Sequence, residues 1–111
     1  MSGGWHDCGA PDGIAAGAAR CVTVGGVPVL IVHTADAWYA VEAQCSHEGF
    51  PLCHGAVQGA RIKCPLHGSR FDLATGAALD DPADAPLMTH DVDIRDGRIM
   101  VRLGCRSERS N

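Results

Sequence analysis

Two short segments of the chain, Gln44–Gly55 and Lys63–Asp72, each carry a closely spaced cysteine and histidine. One residue separates this pair in the first segment, two separate it in the second, and sixteen residues lie between the pairs. Two thiolates and two imidazoles form a complete four-ligand metal set, so the fold must bring the two segments together. The candidate ligands are Cys45, His47, Cys64 and His67.

The residues around the second pair extend this motif. The segment reads Cys-Pro-x-His-Gly and continues through Phe71-Asp72 to Thr75-Gly76. This pattern resembles the Rieske-type ferredoxins that deliver electrons to ring-hydroxylating dioxygenases. Asp81–Leu87 is similar to the proline-containing loop that covers the cluster in that family, and a looser likeness extends over nearly the whole chain.

The resemblance implies one Rieske [2Fe–2S] cluster, with Cys45 and Cys64 on the buried iron and His47 and His67 on the outer one. A neutral imidazole carries one negative charge fewer than a thiolate, so such a site accepts an electron more readily than a four-cysteine cluster. Rieske centres accordingly span roughly −150 to +300 mV, against about −400 mV for plant-type ferredoxins. This chemistry is suited to electron transfer.

Several residues near the ligands differ from the high-potential Rieske proteins of respiratory complexes. Phe50 and Leu66 stand where those proteins carry two disulfide-forming cysteines. Ser69 matches a serine that donates to a bridging sulfide, whereas Phe71 replaces a tyrosine that donates to a cysteine sulfur. Fewer donors stabilise the reduced cluster less, so we expect a potential in the lower part of the Rieske range.

By the same resemblance, the chain is a soluble one-electron carrier between a flavin-dependent NAD(P)H reductase and a terminal ring-hydroxylating Rieske oxygenase. Its 111 residues leave no room for the mononuclear-iron catalytic domain of such oxygenases, so we expect an electron-transfer component and not an enzyme. Related small Rieske proteins also serve nitrite reductases and other oxidoreductases, and the motif does not separate these roles.

Two alternatives come from other functional classes. The four ligands could hold a structural Zn²⁺ in a binding module, although one residue between Cys45 and His47 is tighter than usual zinc-finger spacings. Cys53 and His54 could form a nucleophile pair, although adjacent residues rarely have the geometry to activate each other.

Length and charge limit the remaining possibilities. The chain is expected to form one domain over residues 1–111, with cluster-binding loops at 44–55 and 63–72. A net charge of −4 disfavours nucleic acid as a partner. The absence of an export signal or of an apolar run near the roughly 20 residues that cross a bilayer predicts a cytoplasmic protein without a membrane segment.

The other cysteines and histidines are interpreted as ordinary side chains. Without an export signal the four remaining cysteines are expected to be free thiols, and the remaining histidines are not expected to bind metal. These residues are Cys8, Cys21, Cys53, Cys105, His6, His33, His54 and His90.

The remaining pattern predicts an all-β fold, a small antiparallel sandwich or barrel with the two cluster-binding loops as a subdomain. Gly25-Gly26 separates the β-branched runs 21–24 and 27–33, and Asp96-Gly97 separates two alternating runs, which is typical of hairpins. One face of the second hairpin is expected to be apolar and to pack on the core, and Asp and Arg side chains on its outer face are expected to pair across the strands. Further strands are expected to begin at Trp5 and to cover 38–41 and 60–63. Loop structure is expected over 80–86, and fraying over 105–111.

Overall fold

The computed structural model describes residues 4–35, 37–43, 52–64, 68–79 and 87–104. These residues form nine β-strands and two short 3-10 helices, η1 and η2. The elements are β1 (Trp5–Asp7), η1 (Pro11–Gly13), β2 (Ala18–Val24), β3 (Val27–His33), β4 (Trp38–Glu42), η2 (Leu52–His54), β5 (Ala56–Gln58), β6 (Arg61–Lys63), β7 (Arg70–Asp72), β8 (Thr89–Arg95) and β9 (Arg98–Arg102).

The strands form two antiparallel sheets. The larger has six strands in the order β1-β9-β8-β4-β3-β2, and the smaller has three in the order β5-β6-β7. The prediction of an all-β antiparallel fold is confirmed. The strand expected at Trp5 is also confirmed, since β1 lies at one edge of the larger sheet and pairs with β9.

Both predicted hairpins are present because their turns contain residues that accept positive φ. Gly25 and Gly26 have φ of 57° and 83°, and Asp96 and Gly97 have φ of 53° and 73°. Such two-residue turns match the right-handed twist of the strands they join. The first hairpin is longer than expected, since β2 begins at Ala18 and not at Cys21.

The strand β3, second from the edge of the larger sheet, is buried on both faces. Leu30 and Val32 belong to one buried cluster, and Val29 and Ile31 belong to a second cluster on the opposite side. Successive side chains of a strand point to opposite faces, so a strand between two cores needs an unbroken apolar run. The first of these two clusters, here called the loop core, lies toward the smaller sheet.

The smaller sheet was predicted only in part. The expected strand at 60–63 is present as β6, but β5 and β7 beside it were not predicted. At three residues each, β5 and β7 are too short to show the alternation that identifies longer strands. In this sheet Ile62 of β6 lies opposite Phe71 of β7, and both are buried in the loop core.

The chain leaves and re-enters the larger sheet at one place. β4 and β8 are direct neighbours, with Ala40 opposite His90. The Glu42 N–H donates to the Met88 carbonyl at 2.8 Å, and the Met88 N–H donates to the Glu42 Oε1 atom at 2.9 Å. The smaller sheet is therefore part of an insertion between two paired strands.

Charged side chains cover the outer face of the last hairpin. Arg102 lies opposite Asp91 and pairs with it at 2.6 Å, as cross-strand pairing predicted. The guanidinium groups of Arg95 and Arg102 lie 4.3 and 4.8 Å from the centre of the Trp5 ring. The expectation that the opposite face is apolar and buried fails near the turn, where Ile94 is 36% exposed.

The predicted loop at 80–86 and the frayed tail at 105–111 lie outside the described residues. No helix of the described residues is long and apolar enough to cross a membrane.

His90 is the buried histidine of β8 and retains only 9% of its exposure. The Gly104 N–H donates to its Nδ1 atom at 2.8 Å, which places the proton of the neutral ring on Nε2. That Nε2 atom is buried without a hydrogen-bond partner among the described residues. Burial lowers the pKa of His90, and the nearby Glu42 and Asp91 charges offset this only in part.

We expect His90 to make stability depend on pH. Its pKa is lower in the folded protein than the roughly 6.5 of an unfolded chain, so unfolding takes up a proton as the pH falls through that range. The wild-type urea midpoint should therefore fall between pH 7.5 and 5.5 more steeply than that of His90→Gln. Parallel pH dependence in the two proteins would contradict this assignment.

Candidate metal centre

Of the four predicted ligands, Cys64 lies within the described residues, directly after β6. Its side chain is a free thiol with 1% exposure and belongs to the loop core. The other three, Cys45, His47 and His67, lie outside the described residues. The structure therefore locates the predicted site through Cys64 and through the described residues that flank the other three ligands.

The backbone of Cys64 closes the second predicted loop. The Cys64 N–H donates to the Ser69 carbonyl at 2.7 Å, and the Gly68 N–H donates to the Cys64 carbonyl at 2.9 Å. Gly68 has φ of 76°, a conformation that residues with a side chain rarely adopt. Backbone hydrogen bonds thus join the residues on either side of 65–67, the segment that includes the predicted ligand His67.

The first predicted loop is closed in a similar way. The Leu52 N–H, at the start of η2, donates to the carbonyl of Ala43 at the end of β4 at 2.7 Å. Leu52 and Ala43 are both buried in the loop core that also contains Cys64. The two residues that flank 44–51, the segment that includes Cys45 and His47, therefore pack in the same core as Cys64.

Gly55 brings the two loop bases into backbone contact. A Cβ atom at Gly55 would overlap the carbonyl oxygen of Lys63 and would lie 3.0 Å from that of Leu52. Since Lys63 directly precedes Cys64, this close approach sets the separation between the two loop bases. A side chain at this position would push them apart.

Backbone hydrogen bonds also hold the residues that flank the predicted covering loop. The Leu87 N–H donates to the Gly76 carbonyl at 2.7 Å, and the Leu79 N–H donates to the Arg70 carbonyl at 2.8 Å. Leu87 also lies in the loop core. The described residues on either side of 80–86 are therefore held by backbone hydrogen bonds to β7 and to Gly76 in the turn that follows it.

Two residues singled out near the cluster are buried beside this region. Ser69 is 1% exposed and Phe71 is fully buried in the loop core with Cys64. A buried, unpaired thiol between two backbone-fixed loop bases suits a structural metal ligand, because thiolates are the ligands of iron–sulfur clusters and need dry, rigid positions. The observed surroundings of Cys64 therefore fit the cluster.

Sequence reasoning missed the anchoring residues Leu52 and Leu87. Each is an apolar residue next to a polar, glycine- or proline-bearing loop, which is the signal that could have identified them. In the nucleophile alternative, the side chain of His54 lies outside what the structure describes.

Comparison with known proteins decides between the metal alternatives. The sequence profile of the Rieske [2Fe–2S] domain matches residues 4–91. The chain belongs to the Rieske [2Fe–2S] family. The predicted cofactor, one Rieske-type cluster, is thereby confirmed, and the structural zinc alternative receives no support from this match.

The similarity to individual relatives extends over nearly the full chain. A Ralstonia protein, named as the ferredoxin component of naphthalene 1,2-dioxygenase/salicylate 5-hydroxylase systems, is 32% identical over 93% of this chain and 99% of its own length. The ferredoxin of carbazole 1,9a-dioxygenase from Nocardioides aromaticivorans is 30% identical, with a TM-score of 0.86 over 90% of this chain and 98% of that one.

A further solved chain comes from the complex of reduced oxygenase and oxidised ferredoxin in carbazole 1,9a-dioxygenase. It is 29% identical and superposes with a TM-score of 0.85 over 94% of this chain and 99% of its own length. The predicted resemblance to Rieske ferredoxins is confirmed by these comparisons. The chain is an electron carrier of this type and not a catalytic component.

We expect Gly55→Ala to disturb the cluster site. Its Cβ would overlap backbone that cannot move aside without separating the loop bases, and such overpacking typically costs about 1–3 kcal/mol. Iron and sulfide content per chain should fall together with the melting temperature.

Gly13→Ala is the matched control, because there the new Cβ meets only the flexible guanidinium end of Arg20. Its iron content should equal that of the wild type. A Gly55→Ala protein with full iron content and unchanged melting temperature would show that the close approach to Lys63 is not needed.

Proposed function

We propose that this chain is the ferredoxin component of a ring-hydroxylating oxygenase system. In this role it accepts one electron from a flavin-dependent NAD(P)H reductase and passes it to a terminal Rieske oxygenase. The observation that carries the proposal is full-length similarity to chains named as ferredoxin components of dioxygenase systems, joined to a buried thiol at the predicted ligand position.

We further propose that Cys45 and Cys64 hold the buried iron, and that His47 and His67 hold the outer one. The burial of Cys64 supports its placement on the inner side of the site. The closure of both loops at neighbouring bases supports a shared centre for all four ligands. When bound, the cluster accepts and returns one electron.

The surroundings of Cys64 favour a potential in the lower part of the Rieske range. Phe71 fills its place in the loop core with a ring that has no donor to offer to sulfur. Leu30, Leu52 and Ile62 line the same core and likewise bring no charge to it. An apolar environment disfavours the extra negative charge of the reduced state.

The remaining expectations belong to the same proposal. Residues 1–111 are proposed to act as one domain in the cytoplasm, without nucleic-acid or membrane partners. Support comes from the match across most of the chain and from the mild negative charge of −4.

Reduction and spectroscopy of the purified protein test the proposal. After dithionite reduction, the electron paramagnetic resonance spectrum should be of the rhombic Rieske type, because two imidazoles replace two thiolates on one iron. With NADH, a flavin-dependent reductase and a carbazole- or naphthalene-type terminal oxygenase, the chain should restore formation of the hydroxylated product.

Cys64→Ala should lose both the signal and product formation, whereas Cys8→Ala, which changes a part-buried cysteine outside the proposed ligand set, should retain both. A reduced wild-type protein with the spectrum of an all-cysteine cluster would exclude the proposed ligands. A normal Rieske spectrum without reduction by the reductases, or without transfer to the oxygenases, would assign the chain to another oxidoreductase.

Replacing Phe71 with tyrosine should raise the potential. The new hydroxyl would enter the core beside Cys64 and offer a hydrogen bond that is stronger to the reduced cluster. A net preference of about 1 kcal/mol corresponds to a rise on the order of 40 mV for a one-electron couple. Protein-film voltammetry measures this shift, and a melting curve checks that the buried hydroxyl has not disrupted the fold. An unchanged potential in a well-folded Phe71→Tyr protein would contradict the role given to this position.

A further inference from the structure

The outer face of the smaller sheet carries three basic side chains. In β6, Arg61 and Lys63 are exposed on either side of the buried Ile62. The same alternation in β7 places Arg70 and Asp72 on this outer face, away from the loop core. Three cations and one carboxylate thus give this face, here called the basic face, a net positive charge in a chain whose total charge is −4.

The pairing of the two strands brings like charges together on the basic face. Lys63 lies directly opposite Arg70, an arrangement that destabilises a sheet. Asp72 lies opposite Arg61, and its Oδ1 atom accepts the backbone N–H of Ala74 at 2.8 Å in the turn after β7. Among the described residues, neither Arg61 nor Lys63 forms an ion pair.

The outer face of the last hairpin shows the opposite arrangement. On that face each of three arginines pairs with an aspartate at 2.6 to 3.1 Å: Arg102 with Asp91, Arg95 with Asp93, and Arg98 with Asp7. Its charges therefore cancel within the chain, whereas two exposed cations of the basic face remain available to carboxylates from outside.

Lys63 connects the basic face to the second predicted ligand loop. It directly precedes Cys64, and its Cε atom lies 3.3 Å from the position that a Cβ atom at Gly68 would occupy. Gly68 in turn follows the predicted ligand His67. A protein bound to the basic face would therefore lie beside this loop.

We propose that the basic face is a docking surface for aspartate and glutamate side chains of the terminal oxygenase, which bind Arg61 and Lys63. This inference rests on the proposed function and adds the chemistry of the partner surface. Charge complementarity carries it, because cations without an internal partner attract carboxylates and steer the encounter. A second copy of this chain would instead bring like charges face to face.

Stopped-flow kinetics tests the proposal by measuring electron transfer from the reduced, cluster-loaded chain to a carbazole- or naphthalene-type terminal oxygenase. The wild-type rate should fall as salt is added, because salt screens the attraction between opposite charges. Lys63→Glu should lower the rate at low salt about tenfold and weaken its dependence on salt. Arg61→Gln should act in the same direction, and Lys63→Arg should retain the wild-type rate.

Arg20→Glu is the matched control, because it changes the net charge by the same amount as Lys63→Glu. Arg20 is exposed in β2 of the larger sheet and donates to the Gly13 carbonyl at 2.9 Å. Its variant should transfer electrons at the wild-type rate.

Stability and potential separate docking from other causes of a slower rate. Lys63→Glu places a carboxylate opposite Arg70, so its melting temperature should not fall below that of the wild type. A new negative charge beside the second loop lowers the potential of the electron donor, which favours transfer. A slower rate in this variant therefore reports weaker docking.

A second readout does not depend on electron transfer, since Lys63 is the only lysine of the sequence. A carbodiimide reagent joins an amine to a carboxylate that contacts it. With the oxygenase present, mass spectrometry should find Lys63 linked to an aspartate or glutamate of the oxygenase, in a yield that salt reduces. Lys63→Arg, which lacks the amine, should not give this product.

Unchanged rates and salt dependence in Lys63→Glu and Arg61→Gln would overturn the docking proposal and leave the proposed function intact. An equal loss in Arg20→Glu would also overturn it, because net charge alone would then explain the effect. So would variants that slow reduction by the flavin-dependent reductase while transfer to the oxygenase is unchanged. A wild type that transfers no electron to the oxygenases would contradict the proposed function, and the docking proposal with it.

Discussion

Ligands supplied by two separate loops can share one metal centre only if the loop bases hold a fixed separation. In this protein, backbone contact between Gly55 and the Lys63 carbonyl fixes that separation. Backbone hydrogen bonds at Ala43–Leu52 and at Cys64 with Gly68 and Ser69 then close each loop on itself. Such contacts involve no side-chain rotamers, so they hold the geometry with little entropic cost at the moment of metal binding.

The larger sheet gives these loop bases a rigid support. Because β3 is covered on both faces, it packs against the loop core on one side and against the residues around Ile99 and Val101 on the other. Displacing the loop bases would therefore disturb a strand that is itself held from two directions. Interiors packed in this way deform little, which suits a redox centre whose surroundings should change little between oxidation states.

Local signals made much of this architecture predictable. The hairpins at Gly25-Gly26 and Asp96-Gly97 follow from the φ values those residues accept, and the ligand motif identified the family before any fold was known. The strands β5 and β7 were not predicted, because three residues show too little alternation, whereas the equally short β1 and β6 were expected at Trp5 and at the run 60–63.

The Glu42–Met88 pairing marks the boundary between the larger sheet and the segment inserted into it. The described strands between these residues lie outside the larger sheet, and the chain leaves and re-enters that sheet at one pair of neighbouring strands. An evolving lineage can therefore exchange or reshape the whole inserted segment without altering the register of the sheet that carries it. Changes in the insertion can leave the strand pairing intact, and they meet the larger sheet through Leu30, Val32 and Val41 in the loop core.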